Sequence, residues 1–364
     1  MDDSDWREIS ELMLEYLPQQ KEKEELKELE KHGARLMASP DQKRMRPGVG
    51  LKFAQARDLD VPREALIKAM TALEGIHFYS KGIDDIQDKD EERNGFPTLH
   101  EHISNYFQEK GVGEEKADEL GENLAHDYFL AVKSRNYGLV SSIEEDNLPE
   151  DVRVDDIRIE MEKAENGLTD GQNLDLSGTA IGYGDFKPDY LGGDKEVQSH
   201  IFDGNRGKTA ELFSSIGREI EMLSEDYEGD ELENWGYNAG QAFQIWDDVL
   251  DLESGRNSDM EENNYVFPTY VAERFLHTHP DEEKNELGEE LSRILRDPEV
   301  TENELERANY IVTEETPAVE ASRNQAKYLV DQANDYLDDV DWDNPRAVEE
   351  VKALTEKLGY RRGK

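Results

Sequence analysis

Apolar residues recur at the three- and four-residue spacing of a helix along most of this chain. The spacing predicts helices over 6–17, 26–37, 62–83, 117–134, 155–168 and 235–252, and helical structure throughout 270–358. Asn94-Gly95 and Pro97 predict a loop, and we find no useful strand alternation and no 20–50-residue repeat. The pattern predicts an all-α bundle in one domain, 1–364, with the helices of 1–38 and 270–364 packed on the rest.

One long interruption is predicted within this bundle. Ser177–Gly207 is rich in Gly, Tyr and Asp, which predicts a loop or insertion. Gly207-Lys208-Thr209 follows, but it is not a P-loop, because Phe202 stands where the first glycine would be. Lys208 and Thr209 open the next helix, where charge and free N–H groups can still bind phosphate.

The charge of the chain restricts its partners. Asp and Glu number 87 against 42 Lys and Arg, a net charge of −45, and only 35% of residues are hydrophobic. Such self-repulsion is screened at molar salt, where the Debye length is about 3 Å. Because the acidic residues are spread along the chain, we favour a halophile's cytoplasm over a nucleic-acid mimic or a metal buffer. Such a charge argues strongly against binding nucleic acid or an anionic membrane as a main task.

The absence of cysteine limits the possible site chemistry, and the hydropathy pattern limits the possible cellular location. There is no cysteine, which excludes disulfides, thiol nucleophiles and thiolate metal sites. The acidic start MDDSDWREIS lacks the features of a signal peptide. No apolar run approaches the roughly 20 residues that a membrane span needs. We expect a cytoplasmic protein without stable membrane insertion.

Two predicted helices end in the same acidic motif, DDxxD. The six carboxylates are Asp84, Asp85 and Asp88, and Asp247, Asp248 and Asp251. Residues four apart share a helical face, where like charges weaken the helix, so folding does not call for this spacing. Magnesium binding does call for this spacing, because the ion prefers oxygen ligands and is typically shared between a few carboxylates and a substrate phosphate. Chance explains one copy in so acidic a chain, but two copies, each ending an apolar helix, predict a shared metal site.

Carboxylates that face each other across an apolar cavity would bind magnesium and, through it, a diphosphate. Lys208 and Arg93 could neutralise the remaining phosphate oxygens, and together these charges would stabilise a departing diphosphate. If the substrate is allylic, the faces of Phe78, Tyr79 and Phe243 could lie against the cation left behind. The alternative is that these rings are simply core.

Positively charged residues and one histidine near the first motif are open to two interpretations. Lys43, Arg44 and Arg46 form a basic cluster in an acidic protein, but they could equally be a solvated turn. His77, on the helix that ends in the first motif, could be a core residue instead of a ligand-binding one. Lys81 could supply positive charge to the site, or form a surface ion pair with Asp85, which we favour.

The motifs together resemble the trans-isoprenyl diphosphate synthases, or polyprenyl synthetases, from about Gly33 to Pro268. QKRMRP is similar to the family's GGKRLRP, and IHFYSKGIDDIQDKDEERNGFPTLH to IHxYSLIHDDxxDxxxxRRGxPTxH; GQNLDL, GKTAEL and GQAFQIWDDVLD match further motifs. The resemblance implies an all-α isoprenoid synthase fold with a central cavity, a homodimer and dependence on Mg²⁺. It also implies condensation of isopentenyl diphosphate with an allylic diphosphate, geranylgeranyl diphosphate (C20) being the favoured product, with C15 and C25 open.

Roles follow from the resemblance position by position. It assigns the six aspartates to metal binding, with about three Mg²⁺ ions expected and Mn²⁺ as a substitute, and gives Asp84, Asp88, Asp247 and Lys208 the catalytic roles. The expected contacts of the allylic diphosphate are Arg93, Lys208, Thr209 and Gln244. The expected contacts of isopentenyl diphosphate are Lys43, Arg46 and His77. Tyr79, five residues before Asp84, matches the aromatic that closes the chain-length pocket.

Departures from the family pattern keep two other functions open. Asp41 and Gln42 replace two glycines, Asn94 replaces an arginine of the RR pair, and Asn264 replaces a lysine. One alternative is a relative that ionises an allylic diphosphate for cyclisation or for transfer to another acceptor. The other is a non-catalytic partner subunit of a synthase. Retention of Lys43, Arg46 and His77 disfavours the cyclase, and retention of all six aspartates disfavours the inactive subunit.

Overall fold

The computed structural model describes the chain as two compact units. Residues 3–15, 24–37, 45–93, 95–181, 201–224, 229–261, 264–297 and 299–359 are described. The first unit comprises Met1–Lys163, Arg218–Glu228 and Trp342–Ala347. The second unit comprises Ala164–Gly217, Gly229–Asp341 and Val348–Lys364. The predicted single domain, 1–364, stays a prediction.

The helices of the first unit include one long apolar helix, α4. They are α1 (Asp3–Glu15), α2 (Glu24–Met37), α3 (Met45–Ala56), α4 (Arg63–Gln87), α5 (Leu99–Glu109), α6 (Glu114–Val140) and the start of α7 (Val154–Ile181). The last turns of α4 lie against α6, where the rings of Phe78 and Phe129 meet edge to face at 5.8 Å. Gly82 permits this approach, because a Cβ there would lie 1.9 Å from Phe129. Tight α4–α6 packing thus fixes the helix end that carries the first acidic motif.

The rest of α7 and most of the helical structure that follows it belong to the second unit, except the parts of two helices that lie within Arg218–Glu228 and Trp342–Ala347. Residues 201–205 are helical and Arg206–Ala210 form a π-helical segment. Then come α8 (Glu211–Met222), α9 (Glu231–Ser254), α10 (Ser258–Glu261), α11 (Phe267–Thr278), α12 (Glu282–Leu295), α13 (Glu302–Glu314), α14 (Ala318–Asp338) and α15 (Pro345–Gly359). Ile245 and Trp246 of α9 pack against Leu329 and Val330 of α14, so the helix of the second motif is fixed by its apolar face.

The prediction of an all-α fold is confirmed. Among the described residues, the strands are limited to a hairpin that pairs Glu92–Arg93 with Phe96–Pro97. In the part of the chain that the structure describes, no helix has the length and apolar character needed to cross a membrane.

The predicted loop over Ser177–Gly207 is wrong at both ends. Helix α7 continues to Ile181, and helical structure has resumed by Ile201; residues 182–200 lie outside the described part. Helix α3 was not predicted, since Pro47 and Gly48 suggest a turn. Proline is compatible with the first turn of a helix, where its missing N–H has no partner to lose.

The first unit contains a buried glutamate, Glu219. Glu219 is fully buried, and neither carboxylate oxygen has a hydrogen-bond partner among the residues described. Burial, reinforced by the negative charge of Glu160, raises the pKa of Glu219 well above its ordinary value. Because folding raises this pKa, the stability that the Glu219 carboxyl contributes is present below its unfolded-state pKa. It is lost as the pH rises through the folded-state pKa.

Replacing this carboxyl with an apolar group of similar length should therefore stabilise the protein. We expect Glu219→Met to raise the free energy of unfolding at pH 7.5 by about 1–3 kcal/mol, the cost of burying a polar group without a partner. The gain should shrink as the pH falls. Urea unfolding at fixed KCl concentration tests this, with the exposed Glu162→Met as control. Equal or lower stability of Glu219→Met would contradict it.

Candidate active site

The first acidic motif occupies the last turn of α4. Asp84 and Asp85 are buried, and Asp88 is half-buried and caps the helix, its N–H donating to the carbonyl of Asp84 at 2.9 Å. Lys89 follows with a positive φ of 57°, which turns the chain away from the helix axis. The three carboxylates are thus held where an apolar helix ends in a tight turn.

Two cations pair with these carboxylates. Arg93 of the hairpin donates to Asp85, and its Nη2 lies 3.0 Å from Asp90. Burial raises the pKa of the Asp85 carboxyl, although the positive charge of Arg93 opposes this. The Nζ of Lys81 donates to Oδ2 of Asp84 at 3.0 Å. The expected ion pair of Lys81 with Asp85 is therefore wrong, because Arg93 occupies Asp85 and Lys81 pairs one residue earlier.

The predicted contacts of isopentenyl diphosphate are described in part. Arg46 lies in α3 and is only 9% exposed, so it is not part of a solvated turn. His77 is half-buried. Burial, together with the positive charges of Arg46, Lys81 and Arg93, lowers the pKa of His77 well below its ordinary value. The imidazole is therefore neutral at pH 7, and the positive charges of Arg46, Lys81 and Arg93 all act on it.

Three residues named from the sequence lie outside the described part of the chain. They are Lys43, Arg44 and Asn94. The roles predicted for them stay predictions.

A histidine stack anchors the hairpin that carries Arg93. The rings of His32, in α2, and His102, in α5, lie parallel with centroids 3.9 Å apart. The Nε2 of His32 lies 2.7 Å from the carbonyl oxygen of Pro97, and it must be the donor, since a carbonyl only accepts. Burial and the neighbouring His32 lower the pKa of His102 to about 4. Two stacked imidazoles at this distance resist protonation.

This stack predicts loss of stability in acid. The folded-state pKa of His102 lies below the unfolded value near 6.5, so its contribution is present above pH 6.5 and lost as the pH falls toward about 4. His102→Phe keeps a stacking ring without a titrating nitrogen and should flatten the stability curve over that window. Urea unfolding from pH 7 to pH 4 tests this, with the exposed His126→Phe as control. An unchanged slope in His102→Phe would contradict it.

The second acidic motif lies near the end of α9. Asp248 and Asp251 are buried, whereas Asp247 is exposed. The hydroxyl of Thr209 donates to Oε1 of Gln244 at 2.7 Å, and Nε2 of Gln244 donates to Asp248 at 2.9 Å. The structure thus brings together Thr209 and Gln244, the predicted contacts of the allylic diphosphate, and Asp248, a predicted metal ligand.

Residues after α9 position the third aspartate of this motif. Ser258 donates to Oδ1 of Asp251 at 3.0 Å, and Nε of Arg256 lies 3.4 Å from the same atom. The other oxygen, Oδ2, is buried without a hydrogen-bond partner among the described residues. Neither Arg256 nor Ser258 was predicted from the sequence. Gly255 could have indicated them, because it ends α9 with a φ of 72° and turns the chain so that the next residues lie near Asp251.

Lys208 is positioned by an unusually close approach of two helical segments. It lies half-buried in the π segment Arg206–Ala210. A Cβ on Gly171, in α7, would lie 2.3 Å from the backbone nitrogen of Lys208, and a Cβ on Gly207 would lie 2.5 Å from Cα of Gly171. Only glycines permit such contact, which explains why GQNLDL and GKTAEL each contribute one.

Aromatic candidates flank both motifs. Tyr79 is buried in α4, and the ammonium of Lys133 lies 5.8 Å from its ring centroid. Phe243 is half-buried in α9, 6.2 Å from Phe213. Their predicted roles in binding an allylic chain are not tested by these contacts.

The side chains of the two motifs are of the types that bind a hard divalent cation, but in the described part of the chain they are not grouped as a complete set of ligands. Buried carboxylates, including the unpartnered Oδ2 of Asp251, are suitable ligands. Within the described ranges, however, no three acidic or histidine side chains are grouped as a metal site. In the first motif, Lys81 and Arg93 hold two of the carboxylates.

Comparison with known proteins decides the family. The polyprenyl synthetase family model matches residues 27–308. The chain belongs to the polyprenyl synthetase family. Members of this family are prenyltransferase enzymes. The geranylgeranyl diphosphate synthase of Methanosarcina mazei is 26% identical over 242 residues, which is 64% of each chain and so less than two thirds of the relative. That of Saccharolobus solfataricus is 27% identical over 331 residues, 88% of this chain and 86% of the relative.

Solved structures confirm the isoprenoid synthase type of fold for this polyprenyl synthetase. The geranylgeranyl pyrophosphate synthetase of Pyrococcus horikoshii superposes with a TM-score of 0.73 at 24% identity, covering 99% of this chain and 97% of that one. The geranylgeranyl pyrophosphate synthase of Corynebacterium glutamicum, complexed with isoprenyl diphosphate and magnesium, gives a TM-score of 0.80 at 17% identity over 100% of both chains.

Proposed function

We propose that this polyprenyl synthetase is a short-chain isoprenyl diphosphate synthase. It joins isopentenyl diphosphate to an allylic diphosphate, and geranylgeranyl diphosphate (C20) is the product we favour. The observation that carries this proposal is that each acidic motif lies at the end of an apolar helix, beside basic or amide side chains suited to a diphosphate. Relatives named geranylgeranyl, farnesyl and short-chain isoprenyl diphosphate synthases support it.

Both acidic motifs are proposed to bind magnesium. The carboxylates of Asp84, Asp85 and Asp88 in α4, and of Asp247, Asp248 and Asp251 in α9, would hold about three ions, with Mn²⁺ as a substitute. Bound magnesium would supply Lewis acidity to the departing diphosphate. Magnesium in the C. glutamicum structure is consistent with this.

The allylic diphosphate is proposed to bind at the π segment before α8 and the helix α9. Lys208 supplies positive charge, while Thr209 and Gln244 are pre-oriented by their hydrogen bonds to each other and to Asp248. Arg93, beside the first motif, supplies a second charge once it releases a carboxylate. Phe243 would lie along the allylic chain. Fixed donors of this kind stabilise the charge that develops on a leaving group without reorganising during the reaction.

Isopentenyl diphosphate is proposed to bind near Arg46 and His77, with Lys43. A neutral His77 can donate one hydrogen bond to a phosphate oxygen without carrying charge. Arg46, held in α3, contributes a fixed guanidinium, which suits a phosphate. Asn94 cannot replace the charge of an arginine, so we expect weaker binding of this substrate than in relatives that retain it.

Product length is proposed to depend on Tyr79. Replacing this buried ring with a smaller side chain should open space beside α4, and the product should then grow beyond C20. Tyr79→Ala is expected to shift the products to C25 or longer, measured by chromatography of the dephosphorylated alcohols. Tyr106→Ala is a matched control, since Lys110 lies 5.2 Å from its ring centroid in the same kind of contact. An unchanged product distribution in Tyr79→Ala would show that this ring does not limit chain length.

One assay separates this function from its rivals. The purified protein is incubated with Mg²⁺, isopentenyl diphosphate and each of the C5, C10 and C15 allylic diphosphates. Elongated diphosphates support the synthase. Hydrocarbons or alcohols from the allylic substrate alone support a cyclase or a transferase to another acceptor. No diphosphate release in any mixture supports a non-catalytic partner subunit.

We also propose a salt-adapted, cytoplasmic homodimer. The net charge of −45 is the support for salt adaptation, and the assay should therefore be run in molar KCl as well as in dilute buffer. The oligomeric state is tested by light scattering under the same conditions.

A further inference from the structure

Lys81 forms an ion pair with one carboxylate of the first acidic motif. Its Nζ lies 3.0 Å from Oδ2 of Asp84, and Asp84 is a proposed metal ligand. The side chain of Lys81 is 40% exposed, whereas that of Asp84 is 9% exposed. The ammonium of a flexible, partly exposed side chain is therefore paired with a nearly buried carboxylate. A metal ion that takes both oxygens of Asp84 must displace it.

Arg93 contacts the neighbouring carboxylate, but it is held differently. Its guanidinium pairs with Asp85 and also with Asp90, and its side chain is 29% exposed. The hairpin that carries Arg93 is tied to α2 through the hydrogen bond of His32 with Pro97. Lys81, in contrast, lies on α4 itself, three residues before Asp84, and rotation of its own side chain is enough to move the ammonium into solvent.

We propose that Lys81 is an internal counter-ion of the first acidic motif, which competes with metal ions for Asp84 and lowers the metal affinity of that motif. The ammonium offsets the charge of Asp84 and so limits its repulsion with Asp85 and Asp88. This inference rests on the proposed role of Asp84 in metal binding. It assigns to Lys81 a positioning role, distinct from contact with the reacting atoms.

The size of the effect follows from Coulomb's law. A divalent cation about 6 Å from an ammonium in a water-like medium is repelled strongly enough to weaken its binding by about tenfold. Salt screens this repulsion, because the Debye length falls from about 10 Å at 0.1 M to about 3 Å at 1 M ionic strength. Removing the charge should therefore tighten metal binding in dilute salt, and less so in molar KCl.

The experiment measures metal binding without turnover. Free Mn²⁺ is measured by electron paramagnetic resonance during titration of the full-length wild-type protein and of Lys81→Met, Lys81→Arg and Asp84→Asn. Lys116→Met is the matched control, since Lys116 pairs with Glu119 at the same three-residue spacing, at 2.7 Å, on α6. Circular dichroism of each variant checks that it is folded.

We expect Lys81→Met to bind Mn²⁺ about three- to tenfold more tightly than wild type in 0.1 M KCl. Lys81→Arg and Lys116→Met should stay within twofold of wild type, and the gain should shrink in 1 M KCl. Affinity of Lys81→Met within twofold of wild type, or weaker, would overturn the inference. If wild type and Asp84→Asn bind Mn²⁺ alike, it is the proposed metal role of Asp84 that fails.

Discussion

Asp84→Ala and Asp247→Ala are each expected to lower kcat by about a thousandfold or more. Each variant removes a carboxylate proposed to hold the magnesium that stabilises the departing diphosphate. Metal-ion stabilisation of this kind is worth several kcal/mol, and about 4 kcal/mol corresponds to a thousandfold in rate. The measurement is the rate of incorporation of labelled isopentenyl diphosphate at saturating Mg²⁺ and allylic substrate.

Matched controls exist for both substitutions. Asp127, on α6, and Asp331, on α14, are exposed aspartates of the same two units, and Asp127→Ala and Asp331→Ala should retain near wild-type rates. Near wild-type turnover by Asp84→Ala or by Asp247→Ala would remove the proposed metal role from that motif.

Gly171→Ala is expected to destabilise the protein by about 3 kcal/mol, the upper end of the usual cost of overpacking. The added Cβ would lie 2.3 Å from the backbone nitrogen of Lys208 and 2.5 Å from the carbonyl carbon of Gly207. Backbone atoms cannot rotate away as a side-chain end can, so α7 and the π segment must separate. We also expect a higher KM for the allylic diphosphate, because Lys208 moves with that segment.

The same substitution elsewhere should have the opposite effect. Gly138 lies in α6, and apart from its chain neighbours and the adjacent backbone of its own helix, no atom of the described residues lies within 4 Å of the position that a Cβ would take there. Gly138→Ala should therefore raise the free energy of unfolding by up to about 1 kcal/mol, the difference in helix propensity. Urea unfolding of both variants tests the pair. If Gly171→Ala were as stable as wild type, the close contact would not be needed to hold Lys208.

Helix positions and the two acidic helix ends could be predicted from the sequence because both are local. The apolar stripe that ends at Ile83 predicted α4, which ends at Gln87, and the stripe through Trp235 predicted α9, which ends at Ser254. A stripe of this kind buries one helix face whatever the rest of the chain does.

Features that depend on contacts distant in sequence could not be predicted. Gly207 suggested the end of a loop, but it and Gly171 lie in helical segments because tertiary packing demands the absence of a side chain there. Propensity is a weak prior that such packing overrides. Lys81 could reach a carboxylate three or four residues away, and it pairs with Asp84 because Arg93, from the hairpin, takes Asp85.

The proposed function depends most on both acidic motifs acting on the same magnesium-bound diphosphate. The most direct measurement is the Kd of inorganic pyrophosphate, by calorimetry at saturating Mg²⁺, for wild type, Asp84→Asn, Asp247→Asn and the double variant. We predict that each single substitution removes most of the Mg²⁺-dependent affinity and that the double variant is within about twofold of the weaker single one, since groups that act as a unit are not additive. Losses that multiply in the double variant would show two independent sites and contradict the account.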